Sequence, residues 1–150
     1  MSLFYGENAV SIDDKGRMSI PTSYREALSA LCQNRLVITY NPFERECLWI
    51  FPVSEWERVR DQVVSLGSFD AAHRDLQRKL VGAASHVTLD ANGRFLLPHS
   101  ARQAAGLSKS AVLLGMGEKF ELWSESAQQA RLEQPIADSA ITDAMRALRF

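Results

Sequence analysis

Hydrophobic and polar residues alternate over short stretches near the start of the chain, and the same alternation returns in the second half. This period of two is typical of half-buried strands, and each pair of strands surrounds a polar run that ends in glycine. In the second run the Asn92-Gly93 pair favours a type I′ hairpin turn. The predicted strands are residues 8–12 and 17–20 in the first unit, and 87–89 and 94–97 in the second.

After each unit the spacing of apolar residues changes to three or four, which predicts a helix. A serine followed three residues later by Glu or Gln is the pattern of a capping box, and it predicts helix starts at Ser23, Ser54 and Ser100. One more helix is predicted over about residues 70–80. Two further strand pairs are predicted at residues 36–40 with 47–51, and 111–114 with 119–123.

The two units are copies of one motif. At a constant offset of 77, eight of eighteen positions in residues 10–27 are identical to those in residues 87–104, where chance would give about one. Each copy alone has too few strands to enclose a core, so we expect the two to intertwine into one pseudo-twofold, barrel-like β core with helices outside. The identical pairs are Val10/Val87, Asp13/Asp90, Gly16/Gly93, Arg17/Arg94, Pro21/Pro98, Ser23/Ser100, Arg25/Arg102 and Ala27/Ala104.

On these patterns the chain divides into four segments. They are a first repeat at residues 4–53, a helical connector at 54–83, a second repeat at 84–124, and a helical tail at 125–150 that is interrupted at Pro135. The connector helix carries Arg74, Arg78 and Lys79 on one side. We interpret that side as a solvated surface, with a nucleic-acid patch or a subunit contact as the alternatives.

Composition restricts the function. The 150 residues have a formal net charge of −1, which argues against a broadly basic protein that coats nucleic acid. Any affinity for DNA must come from a local basic surface, or from many weak sites gathered by oligomerisation. Cys32 and Cys47 are the two cysteines, and no run of residues has a secretory or membrane-spanning pattern. We therefore expect a cytoplasmic protein with reduced thiols.

Arg17 and Arg94, at the ends of the two glycine turns, are the main candidates for chemistry. The guanidinium group is a planar fork of donors that suits guanine O6 and N7 or phosphate oxygens. The alternative is that each arginine only pairs with the aspartate of its own turn, Asp13 or Asp90, and stiffens it. DNA contact and pairing with the aspartate are compatible if the aspartates orient the guanidinium groups. Arg25 and Arg102 lie near helix starts, where we expect ion pairs at the edge of the core rather than DNA contact.

Enzyme chemistry finds little support in the sequence. The three histidines lie on different predicted elements, without the spacing of a metal site. The serines of the repeats are interpreted as helix caps rather than nucleophiles. We therefore expect no enzyme activity, no metal or other cofactor, and no small-molecule substrate.

The chain resembles the MraZ family over about residues 4–124. The resemblance implies an α+β, mainly β fold of two AbrB-like swapped-hairpin repeats. The motifs that carry it are Asp-x-Lys-Gly-Arg at 13–17, Pro-x-x-Tyr-Arg at 21–25, Pro-x-x-Glu-Trp-Glu at 52–57, Gly-Ala-Ala at 82–84, Asp-x-x-Gly-Arg at 90–94 and Lys-Phe-Glu-Leu-Trp at 119–123.

The resemblance also implies a function. It indicates a nucleoid-associated, DNA-binding transcriptional regulator of the division and cell-wall gene cluster, which assembles into a ring. Such a ring would bind short G-rich direct repeats in double-stranded DNA upstream of its own gene. The DNA contact would lie on the two turns, with Asp13 and Asp90 as orienting carboxylates. The turn residues proposed to contact DNA are Lys15, Gly16, Arg17, Asn92, Gly93 and Arg94.

A second hypothesis comes from a different class. The twin turns could instead bind an acidic protein partner, which would make the chain a protein–protein interaction module. The feature that separates the two hypotheses is arginine at the turns, because partner-binding strands more often present apolar edges.

Overall fold

A computed structural model of the protein describes residues 3–150. Within them, strands and helices follow one another in the order that the repeat predicts. The strands are β1 (Phe4–Ser11), β2 (Arg17–Ser19), β3 (Arg35–Tyr40), β4 (Cys47–Pro52), β5 (Ser85–Thr88), β6 (Arg94–Leu96), β7 (Ser110–Gly117) and β8 (Phe120–Ser124). The helices are α1 (Thr22–Cys32), α2 (Val53–Val64), α3 (Ala71–Gln77) with a π-helical turn at Arg78–Gly82, α4 (His99–Ala104), α5 (Glu125–Leu132), a 3₁₀ turn at Asp138–Ala140, and α6 (Asp143–Arg146).

The two repeats exchange strands across one antiparallel sheet. Its order is β1-β7-β8-β4-β3-β5. The first strand of each repeat therefore pairs with the other repeat: β1 lies beside β7, and β5 lies beside β3. Exchanging the two repeats leaves this order unchanged, so the sheet has the pseudo-twofold symmetry that the sequence repeat predicts.

Strands β2 and β6 form a separate two-stranded ribbon, again with one strand from each repeat. They run antiparallel with Met18 opposite Phe95, and both of these side chains are buried. The strands on either side of each turn therefore pair with the other repeat rather than with each other. This is the swapped-hairpin arrangement that the resemblance implies.

One core serves both repeats. Directly after β2 and β6, the chain buries Ile20 and Leu97, which are at most 1% exposed. The central sheet contributes Leu113 and Leu122 from the second repeat, and helix α1 contributes Leu28, all of them fully buried. Neither repeat could bury these side chains alone, so the two repeats fold as one unit.

Both cysteines are buried free thiols, as the sequence predicts. The Sγ of Cys32 lies 3.2 Å from the carbonyl oxygen of Leu28. Burial raises the pKa of the Cys47 thiol to about 12, because the charged thiolate is disfavoured away from water. Cys47 therefore acts as a small core residue.

The predicted α+β fold of two repeats is confirmed, but the core is neither a closed barrel nor mainly β. Strands β1 and β5 lie at opposite ends of the six-stranded sheet, so the sheet does not close into a barrel within residues 3–150. Helical residues make up 38% and strand residues 29% of the structure. Helices, together with the β2–β6 ribbon, cover the core where a closed barrel would have used strands.

The three predicted capping boxes are also wrong. The helices begin one residue earlier, at Thr22, Val53 and His99, directly after a proline that occupies the N-cap position without a side-chain cap. The backbone of those prolines, with φ from −57° to −54° and ψ from 135° to 142°, already has the extended conformation that an N-cap needs. The serines are then second helical residues, past the capping position.

The β1–β7 pairing gives a test of the strand exchange. Gly115→Ala is expected to destabilise the protein by about 1–3 kcal/mol, because the new Cβ would lie 2.7 Å from backbone atoms of Phe4 and Tyr5. Urea unfolding measures the change. Gly67→Ala is the matched control, because its Cβ would meet nothing within 4 Å. Equal unfolding midpoints for the two variants would contradict the close approach of β1.

Candidate nucleic-acid interface

The first turn is closed by its own backbone and by one carboxylate. The Gly16 N–H donates to the carbonyl oxygen of Asp13 at 3.0 Å, and the Asp13 N–H donates to the carbonyl oxygen of Arg17 at 3.0 Å. The Asp13 Oδ1 accepts the backbone N–H groups of Lys15 at 3.0 Å and Arg17 at 2.8 Å. Its Oδ2 accepts from the Arg17 Nε at 2.8 Å. One aspartate thus holds both the turn and the arginine that follows it.

The second turn repeats this geometry. The Gly93 N–H donates to the Asp90 carbonyl oxygen, and the Asp90 N–H donates to the Arg94 carbonyl oxygen, both at 2.9 Å. The Asp90 Oδ1 accepts the N–H groups of Asn92 at 2.8 Å and Arg94 at 2.9 Å. The ion pair is longer here, with 3.4 Å between the Arg94 Nε and the Asp90 Oδ2.

The type I′ turn predicted for Asn92-Gly93 is not formed. That turn needs positive φ at both central residues, whereas only Gly93, at +73°, has it here. Gly16 has the same conformation in the first turn, with φ of +88°. The bonds from the aspartate side chain favour a type I turn followed by a left-handed glycine. Asn92, the first residue of the pair, therefore does not adopt positive φ.

Hydrogen bonding lowers the pKa of both turn aspartates from the ordinary value of 3.8. For Asp13 the backbone N–H of Arg17 is the largest cause, followed by the Arg17 side chain. For Asp90 the largest cause is the backbone N–H of Arg94. Donors that point at a carboxylate stabilise its charged form, so both aspartates are ionised near neutral pH.

The two arginines lie on one face of the β2–β6 ribbon. Arg17 is opposite Leu96, and Arg94 is opposite Ser19. Side chains alternate along a strand, so these four residues share the outer face. The arginines are diagonal neighbours, a relation that places two residues about 7–8 Å apart, with their Cβ atoms somewhat closer. Their side chains are 48% and 50% exposed.

Sequence reasoning missed Ser19 and Leu96 as members of this surface. Leu96 is 56% exposed, an unusual position for a leucine beside two arginines. The sequence pattern of residues 94–97 predicts that Leu96 lies in the return strand, on the same face as Arg94. The partner strand was unknown, however, so the residues that share its face could not be identified.

The turn tips point to solvent and differ in charge. Lys15 and Asn92 occupy equivalent positions and are both exposed. The two glycines are buried instead, beneath side chains described below. Within the turns, therefore, the side chains of Lys15 and Asn92 are available for contact, and the glycines set the turn shape.

Arg25 and Arg102 do not form the ion pairs expected for them. Among residues 3–150, no ion pair includes either arginine. Arg25 instead donates from its Nε to the carbonyl oxygen of Ile20 at 2.9 Å. Each of the two arginines lies over a turn glycine: Arg25 over Gly93, and Arg102 over Gly16. No carboxylate neutralises either guanidinium group within the described residues.

The surface around the ribbon is consequently basic in an otherwise nearly neutral protein. Arg17, Arg25 and Arg94 line one open cleft of about 430 Å³ beside β1. With Lys15 and Arg102 they make five cations, against the three carboxylates of the two turns. This local excess of positive charge is what a chain of net charge −1 needs in order to attract an anion.

Two other kinds of site are absent from the part of the chain that the structure describes. No group of three His, Cys, Asp or Glu side chains there could hold a metal ion. None of the helices between residues 3 and 150 is both long and apolar enough to cross a membrane.

The exchanged strands and the twin Asp-x-x-Gly-Arg turns define the class of protein: a double swapped-hairpin α+β protein. The chain belongs to the MraZ family. The family model, described as "MraZ protein, putative antitoxin-like", matches it twice, at residues 3–79 and 80–150. The double match agrees with the internal repeat.

Relatives align along the whole chain. A protein of Stenotrophomonas maltophilia (strain R551-3) named Transcriptional regulator MraZ is 52% identical over 148 residues, covering 99% of this chain and 100% of the relative. A protein of the same name from Xanthomonas oryzae pv. oryzae (strain MAFF 311018) has the same identity and coverage. Another, from Marinobacter nauticus (strain ATCC 700491 / DSM 11845 / VT8), is 43% identical, with 99% of each chain covered. These relatives are transcriptional regulators by name.

The lowered pKa values predict how the turns respond to acid. Because the ionised forms of Asp13 and Asp90 are favoured in the folded protein, they stabilise it at pH above 3.8. That contribution is lost as the pH falls through the lowered native values. NMR titration of the carboxyl carbons is expected to give midpoints below 3.8 for both residues. Midpoints at or above that value would contradict the turn geometry.

Proposed function

We propose that this protein is a sequence-specific, DNA-binding transcriptional regulator that reads DNA with the β2–β6 ribbon. The observation that carries the proposal is the placement of Arg17 and Arg94 as diagonal neighbours on one exposed face. The names of the relatives support regulation of transcription, and the ribbon supplies a means of binding DNA.

The shape and chemistry of the ribbon suit the major groove. That groove admits a two-stranded β-ribbon, and arginine is the side chain that most often binds guanine through O6 and N7. Asp13 and Asp90 face the Nε of each arginine, which leaves the terminal nitrogens for another acceptor. We therefore propose that Arg17 and Arg94 read guanines in short G-rich repeats, while Leu96 offers an apolar surface to a thymine methyl group.

The remaining turn residues have supporting roles in this proposal. Lys15 contacts a phosphate, Asn92 makes an uncharged polar contact at the matching position, and Asp13 and Asp90 orient the arginines. Gly16 and Gly93 act through the shape they give the turns, because both are buried.

Affinity in this proposal depends on a ring of many subunits. A single protomer with a net charge of −1 and one short ribbon makes a modest contact with DNA. In a ring, neighbouring protomers would meet successive direct repeats in the same orientation, and the raised effective concentration would supply the affinity. We place these repeats in the promoter upstream of the protein's own gene, within a division and cell-wall gene cluster.

Fluorescence anisotropy with the DNA immediately upstream of the gene tests the proposal. Arg17→Ala/Arg94→Ala is expected to lose binding, because each bidentate contact contributes about 1–3 kcal/mol. Arg60→Ala is the matched control, since Arg60 is an arginine paired with Asp61 on the exposed surface of α2. A scrambled duplex gives the non-specific background, and size-exclusion chromatography verifies the oligomer. A double variant that keeps its oligomeric state and binds as tightly as the parent would overturn the proposal.

The charge difference between the turn tips makes a second prediction. Lys15→Ala is expected to reduce the slope of log Kobs against log salt by about 0.9 for each protomer engaged, because one phosphate contact is lost. Asn92→Ala at the equivalent position is expected to leave the slope unchanged, since asparagine displaces no counterion. Anisotropy measured across a salt series gives both slopes. Equal slopes for the two variants and the parent would show that Lys15 does not contact a phosphate.

A further inference from the structure

Arg25 and Arg102 are equivalent residues of the two repeats, and each lies against the turn of the other repeat. A Cβ built on Gly93 would lie 2.8 Å from the Arg25 Cζ, and a Cβ on Gly16 would lie 2.9 Å from the Arg102 Cζ. Such distances leave no room for a side chain. Each guanidinium group therefore packs directly on the backbone of a turn that belongs to the opposite repeat.

Charge pairing does not account for the position of these arginines. Arg25 lies near the start of α1, where the helix dipole disfavours cations, whereas Arg102 lies in the last turn of the short helix α4. Neither has a carboxylate partner among the described residues. Their side chains run away from their own helices onto the exchanged ribbon. The glycines consequently meet two requirements at once: positive φ, and a bare backbone on which a planar group can lie.

We infer that Arg25 and Arg102 are positioning residues, each of which holds the DNA-reading turn of the other repeat. Arg25 supports the turn that ends at Arg94, and Arg102 supports the turn that ends at Arg17. The placement of each reading arginine thus depends on the opposite repeat. The link to DNA rests on the proposed function, whereas the crossed support is a property of the fold.

The two supports differ in strength. Arg25 is fixed by the bond from its Nε to the Ile20 carbonyl oxygen. The Arg102 Nε is buried without a hydrogen-bond partner, and its Nη2 lies 3.4 Å from the His99 Nδ1. Because an unpartnered buried donor weakens the state that contains it, the Arg102 support is the looser one. Removing Arg25 is therefore expected to have the larger effect.

Hydrogen–deuterium exchange on the full-length protein tests the crossed support without DNA. In Arg25→Gln, the amides of Gly93 and Arg94 are expected to exchange faster, while those of Gly16 and Arg17 keep the parent's rate. Arg102→Gln is expected to give the reverse pattern with a smaller change, and Arg60→Gln on α2 is the control. Faster exchange in the turn of the variant's own repeat, or equally in both turns, would overturn the inference.

DNA binding then separates positioning from direct contact. In an Arg17→Ala protein the turn at Arg94 still reads DNA, and Arg25→Gln is expected to weaken DNA binding about tenfold. In an Arg94→Ala protein that turn no longer reads DNA, and Arg25→Gln is expected to cause little further loss of binding. Equal losses in both backgrounds would show direct contact by Arg25 and overturn positioning. If the parent fails to bind the upstream DNA at all, the proposed function fails, and the exchange pattern alone decides the crossed support.

Discussion

Strands β2 and β6 join the two repeats through three residue pairs, and the rest of the structure depends on their register. Met18 and Phe95 face the core, so Arg17 and Arg94 must face outward on the alternating strands. A slip of one residue would turn the arginines inward and the apolar side chains outward, at a large cost in buried surface. Hydrophobic burial thus holds two cations near each other despite their mutual repulsion.

The turns convert this placement into a defined geometry. In each of them one carboxylate satisfies two backbone N–H groups and also faces the following arginine. A long arginine side chain held in this way loses less conformational freedom when it binds a ligand. The same geometry forces a left-handed glycine, and its bare backbone receives an arginine from the other repeat. The motif is therefore a set of mutually dependent contacts.

Much of this structure is predictable from the sequence, because the repeat at offset 77 preserves the residues with special conformations or charges. The strands, the turn positions and the two exposed arginines of the turns follow from that repetition. The predicted helix starts are wrong because the proline two residues before each serine already has the capping conformation. The prediction of a barrel-like core is wrong because the number of strands does not determine whether a sheet closes on itself. The crossed packing of Arg25 and Arg102 depends on strand exchange, which local patterns do not reveal.

The central claim is that both turns form one DNA-reading surface. A structure of the protein bound to the duplex from its own upstream region would test this claim most directly. The account predicts that the Arg17 and Arg94 guanidinium groups of one protomer lie in the same stretch of major groove, with Asp13 and Asp90 still bound to them. A duplex that lies elsewhere, for example on the helix that carries Arg74 and Arg78, with both turns in solvent, would contradict it.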